Sequence, residues 1–214
     1  METLKFMLGG DVMLGRTVGE WIARKGPDYP LGKISEVMNS ADLVLVNLEC
    51  AITSSSTFWT GEPKAFYFKA PVSAVETLKQ AGVDIVSLAN NQVLDFGCKG
   101  LDDTLDLLEM AGIRHAGAGR DMAEASKPAC VESKGICFGM VAYCDHQQDF
   151  SAGTASPGIN YFDLFDEKAF MSRIGADLQK MKGVDWPILS LHWGPNMVHR
   201  PSDYFRKLAR GAID

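Results

Sequence analysis

The chain has 214 residues, 46% of them hydrophobic, which is enough for one domain with a sizeable buried core and excludes a disordered chain. With 21 basic against 27 acidic residues the formal charge is −6, so there is no electrostatic footprint for DNA or RNA, and nucleic acid is not an expected partner. No apolar run approaches the roughly 20 residues of a membrane helix, and Met1 stands just ahead of the first strand-like segment, Leu4 to Leu8, so the chain as given reads as cytoplasmic and without a membrane segment.

In chain order, the first strand-like run continues through two glycines to Asp11, and a second, Asp42 to Glu49, ends on a carboxylate. The segment Phe58 to Lys69 is rich in aromatic residues amid Thr, Gly and Pro. It reads as a packed edge of the core, or alternatively as a loop over a cleft. Helical spacing predicts helices over Val72 to Ala81, Leu101 to Ala111 and Lys168 to Met181, closed by Gly82, Gly112 and Gly183 at the position that stops a helix. Between them lie a strand from Asp84 into Asn91, a strand over Ile136 to Tyr143 followed by a polar loop over Asp145 to Pro157, and a last strand from Pro187 to His192.

Short, nearly unbroken apolar runs of this kind predict strands buried on both faces. The strand and helix alternation predicts an α/β domain with a largely parallel sheet. Ligands in such sheets bind beyond the carboxyl ends of the strands, where Asp11, Glu49, Asn91 and His192 all fall by this reading. One Asp, one Glu, one Asn and one His form a mixed oxygen and nitrogen set suited to a divalent ion such as Mn, Fe, Zn or Mg. Each residue taken singly is as readily a cap or turn group, Asp11 being well placed to cap a following helix. Recurrence at four strand ends favours the metal.

The remaining residue types carry less. Five cysteines, Cys50, Cys98, Cys130, Cys137 and Cys144, form no C-x-x-C pair and are expected as reduced core thiols in a reducing compartment. His115, His146 and His199 are expected in surface or loop roles. There is no G-x-S-x-G elbow, Walker-type phosphate loop or full dinucleotide fingerprint.

Gly10 to Arg16, Val46-Asn47-Leu48-Glu49, Ser87 to Gly97, Gly117 to Ala125 with Pro128, and Leu191-His192-Trp193-Gly194 together resemble the motifs of the CapA family of capsule and poly-γ-glutamate synthesis proteins. The resemblance runs from about Lys5 to the end. It implies a metallophosphoesterase-like sandwich of mixed β-sheets flanked by helices, occupying residues 1–214 and incomplete at its C-terminus, since relatives continue into a strand and a Gly-His-x-His-type motif. It further implies Asp11 on a first metal, Glu49 as a bridge, and Asn91 and His192 on a second.

By the same resemblance Arg16 and Asn90 are substrate-side groups, and Gln92 stands where the family carries a His that protonates a leaving oxygen. Met13 also replaces a superfamily His. One weakly held ion, or none, and slow turnover are therefore expected. The implied partners are an anionic small molecule or polyglutamate-like polymer and other envelope-synthesis proteins, with a cell-envelope location as the alternative to the cytoplasm. A non-catalytic polyanion-binding accessory protein is the second reading.

Overall fold

The computed structural model describes residues 3–213. The chain forms β1 (Phe6–Val12), α1 (Arg16–Lys25), α2 (Ile34–Met38), β2 (Leu43–Leu48), β3 (Ala51–Ile52), β4 (Lys69–Ala70), α3 (Ala74–Gln80), β5 (Ile85–Ser87) and α4 (Gly97–Ala111). It continues through β6 (Arg114–Ala116), β7 (Ala118–Gly119), α5 (Met122–Ala125), β8 (Ala129–Ser133) and β9 (Ile136–Cys144). The last part holds β10 (Gly158–Ile159), α6 (Glu167–Lys180), β11 (Trp186–His192) and α7 (Asp203–Ile213).

Two sheets organise these elements. One is parallel throughout, in the order β1-β2-β5-β6. The other runs β11-β9-β8, with β11 parallel and β8 antiparallel to β9. The larger of two hydrophobic clusters draws Val44, Leu45, Ile85 and Val86 from the first sheet and Met140 and Ala142 from the second, and the smaller gathers Val141 and Tyr143 with Phe170 and Leu208. The expected α/β architecture is therefore present, with both sheets sharing the larger cluster.

The helices predicted from spacing appear within a few residues of their expected bounds, α4 starting one turn earlier at Gly97. Their closing glycines have φ values of +69° at Gly82, +77° at Gly112 and +95° at Gly183, a region that L side chains rarely adopt. A pair of two-residue ladders, β3 with β4 and β7 with β10, is too short to leave a period in the sequence.

Burial on both faces holds for β2 and β5, which lie inside the first sheet. It does not hold for β1 and β11. Each is the edge of its sheet, and Leu8 is 65% and Trp186 62% exposed, so hydrophobic content alone misread edge strands as central ones. The cysteine expectation also needs correction: Cys50 and Cys144 are buried, but Cys98 and Cys130 are exposed and Cys137 is intermediate. Among the described residues, no helix is long and apolar enough to cross a membrane.

Candidate metal cleft

Parallel pairing of β1 with β2, and of β11 with β9, aligns strand ends from opposite parts of the chain. Asp11 lies near the end of β1, just after a register shift between Leu8 and Asp11 that spans the Gly9-Gly10 pair. Glu49 follows β2 directly, and His192 is the last residue of β11. One ligand atom from each of these three residues lies within 4.8 Å of the other two, with His192 Nε2 3.8 Å from Glu49 Oε1. Ions with ligand bonds of about 2.1 Å span about 4.2 Å between opposite donors, so small side-chain adjustments bring all three onto one centre. Asp11 caps no helix: the N-cap of α1 is Gly15, with no side-chain bond.

Asn47 holds the two carboxylates together. Its Nδ2 donates to Asp11 Oδ1 at 2.7 Å and to Glu49 Oε2 at 2.6 Å. Asn90 in turn donates to Asn47 Oδ1 at 3.0 Å and to the Leu48 carbonyl at 2.8 Å, while its own Oδ1 accepts from the backbone of Gln92 and Val93. Fully buried, Asn90 therefore braces the carboxylate pair from behind. Burial and the nearby Asp11 charge raise the Glu49 carboxyl to about 7, against which the Asn47 bond works. Burial likewise lowers His192, a shift toward the neutral imidazole that ligates metals.

The turn after β5 carries the rest of the predicted set. Asn91 follows Asn90, and its carbonyl accepts from Lys64 Nζ. Gln92 Oε1 accepts from the same ammonium at 3.2 Å. Arg16 opens α1 with φ +52°, exposed, its guanidinium 5.8 Å from the centre of the Phe68 ring. It makes no hydrogen bond to the carboxylate pair among the described residues.

Several cleft residues carried no role in the sequence. Lys64 comes from the aromatic segment, which is neither strand nor helix over Thr57 to Phe68 and packs against the turn after β5. Lys64 pairs with Asp95, the two side chains being 6% and 0% exposed; burial pushes Asp95 up to about 6 and Lys64 down. The segment is pinned further by Trp59 Nε1 and the Glu62 backbone, both donating to Asp149.

His146, expected in a surface role, stands edge-on to His192 with ring centroids 5.9 Å apart. Its Nε2 lies 2.7 Å from the Gly194 carbonyl. Asp145 accepts from the Gly194 backbone through Oδ2, whereas its buried Oδ1 makes no hydrogen bond and faces His146 Nδ1 at 3.3 Å. His115 is also misassigned by the sequence: it lies on β6 with its ring largely covered, beside Glu109 and Glu124, both of which pair with Arg120. The contacts of His146 with His192 and of Asp145 and His146 with Gly194 have no local signal, because they join segments far apart in the chain.

This donor set fits a divalent cation. Two carboxylates crowded on one amide, one of them raised by burial, and an unpartnered buried carboxylate oxygen next to the neighbouring imidazole all gain from a positive charge placed among them.

Comparison with known proteins agrees with the residue pattern. Residues 5–214 match the family model described as bacterial capsule synthesis protein PGA_cap. The whole chain aligns at 26% identity with a capsule biosynthesis protein CapA of Bacillus anthracis, covering 52% of that protein. It aligns, also at 26% and over its whole length, with the PGA biosynthesis protein CapA of Bacillus subtilis, covering 55% of it. A probable polyglutamine synthesis accessory protein of Mycobacterium tuberculosis is 28% identical over 91% of the chain and 61% of its own length. The chain thus spans about half the length of the two Bacillus proteins.

Proposed function

Because the chain belongs to the PGA_cap family of bacterial capsule synthesis proteins, within the metallophosphoesterase superfamily, we propose that its cleft binds one divalent metal ion and acts on an anionic substrate of envelope polymer synthesis. The convergence of Asp11, Glu49 and His192 on one point carries this reading. Asn91 is the fourth ligand, and Mn, Fe, Zn or Mg suits the set. When bound, such an ion supplies Lewis acidity toward a phosphoryl or carbonyl oxygen. The chain's own residues do the rest: Asn47 fixes both carboxylates, Asn90 fixes Asn47, and Arg16 faces solvent where an anionic group arrives.

We assign a hydrolase of low activity on phosphoesters or acyl phosphates. Gln92 has no titratable proton to give a leaving oxygen, and its amide oxygen is held by Lys64. That same observation favours the second reading, a non-catalytic accessory protein whose cleft holds a polyglutamate-like chain at the envelope. Hydrolysis of bis-p-nitrophenyl phosphate with Mn2+, measured beside binding of poly-γ-glutamate, separates the two. Metal-dependent turnover abolished in Asp11→Ala supports the hydrolase; polymer binding without turnover supports the accessory protein, and neither one in the presence of metal rejects both.

A further inference from the structure

Lys64 is an expensive residue to place where it stands. Its ammonium is nearly excluded from water, and a buried cation is tolerated only when its charge is paired and its protons are used. All three protons have acceptors: the Asn91 carbonyl, Gln92 Oε1 and Asp95 Oδ1. The charge also sits over the Phe150 ring, 4.8 Å from its centre. Asp95 completes the knot by accepting from the Phe68 backbone through Oδ2, while its own carbonyl accepts from the Trp59 backbone. One side chain therefore ties the aromatic segment to the turn that follows β5.

That turn is held from the β2 side by the Asn90 bonds to Asn47 and the Leu48 carbonyl, and from the side of the aromatic segment by Lys64, whose ammonium bonds Asn91 and Gln92 directly. It is irregular chain between β5 and α4, and it holds Asn90, the brace of the carboxylate pair, next to Asn91. We infer that Lys64 is the positioning residue of the cleft: its ammonium sets the Asn90-to-Gln92 turn, and thereby Asn91 and the Asn47 brace, for metal binding. This rests on the metal reading above for its functional half, whereas the positioning of the turn stands apart from it. Partners one shell behind a ligand typically change metal affinity by about 10- to 100-fold when removed.

The test uses Lys64→Met, which keeps the aliphatic stem, and Lys64→Arg, which keeps the charge and restores part of the effect. Amide hydrogen exchange at Gln92 and Val93 is followed without metal, and Mn2+ affinity is measured by titration calorimetry for both variants, Asn91→Ala and the double variant. Faster exchange, a Mn2+ affinity lowered about ten-fold or more, and little further loss in the double variant are expected. Unchanged exchange in Lys64→Met overturns the proposal whatever the metal does. So does unchanged Mn2+ affinity, or losses that simply add to those of Asn91→Ala. If the unaltered chain binds no Mn2+ yet exchange quickens, the metal reading fails and the positioning of the turn stands. If Lys64→Met does not fold, Lys64→Arg decides: exchange and affinity close to those of the unaltered chain support the role of the charge, and a loss of affinity with unaltered exchange rejects it.

Discussion

Replacing Asn47 by Leu, close to it in shape, removes the amide that holds Asp11 and Glu49 together. Two hydrogen bonds to carboxylates, at 2.7 and 2.6 Å, are lost, and the Asn90 amide loses one acceptor. Bonds to charged groups contribute about 1.5–3 kcal/mol each. Asp11 is exposed and regains water, so most of the cost falls on Glu49, and the metal-free protein should lose about 2–3 kcal/mol. Orienting partners of metal ligands are worth about 10- to 100-fold in affinity, so excess metal should widen the gap from the unaltered chain by about 1.4–2.8 kcal/mol. Urea denaturation with and without Mn2+ reads both numbers. A gap that does not change with metal would mean that these carboxylates do not hold it, and a metal-free stability equal to that of the unaltered chain would refute the bracing role itself.

Gly117→Ala places a Cβ 2.5 Å from that of Ala89 and 2.8 Å from that of Ala142, at φ +93°, so about 3 kcal/mol of stability should disappear in thermal or urea unfolding; a loss below 1 kcal/mol would show that Ala89, after β5, and Ala142, on β9, yield easily. Burial alone would raise the Asp149 carboxyl, but bonds from Trp59, Glu62 and Gln147 outweigh it and hold it low. Its stabilising effect is therefore complete above the ordinary carboxyl value and is lost as pH falls through the lowered folded one. Trp59 fluorescence should report an acid-induced change that Asp149→Asn, already missing the charge, does not show. Gln92→His restores an imidazole at the expected proton-donor position; a rise of about 100-fold in Mn2+-dependent diester hydrolysis fits a hydrolase, and no rise favours the accessory reading.

Elements with a local cause were legible in the sequence. The closing glycines at 82, 112 and 183 mark a conformation that other residues avoid, and helical spacing needs only one face of one segment. The strand-end positions of Asp11, Glu49 and His192 followed from the alternation of strands and helices, because a parallel sheet sends its ligands to one edge. Edge placement of β1 and β11 was not legible, since Val and Leu content says nothing of which strand lies beside which. The Lys64 knot and the bond from Trp59 to Asp149 were hidden for the same reason: their partners lie tens of residues away, and no period links them. Asn47 was visible within a motif, but its double bond to Asp11 and Glu49 depends on the register of β1 against β2.

The most direct test of the cleft is metal content and Mn2+ titration of the purified chain beside Asp11→Ala and His192→Ala, with circular dichroism to verify folding. One ion per chain, held by the unaltered protein and lost in both folded variants, is the predicted result. An unaltered chain that takes up no Mn2+, Fe, Zn or Mg, or an Asp11→Ala variant that retains the ion, would contradict the convergence of these strand ends on a metal.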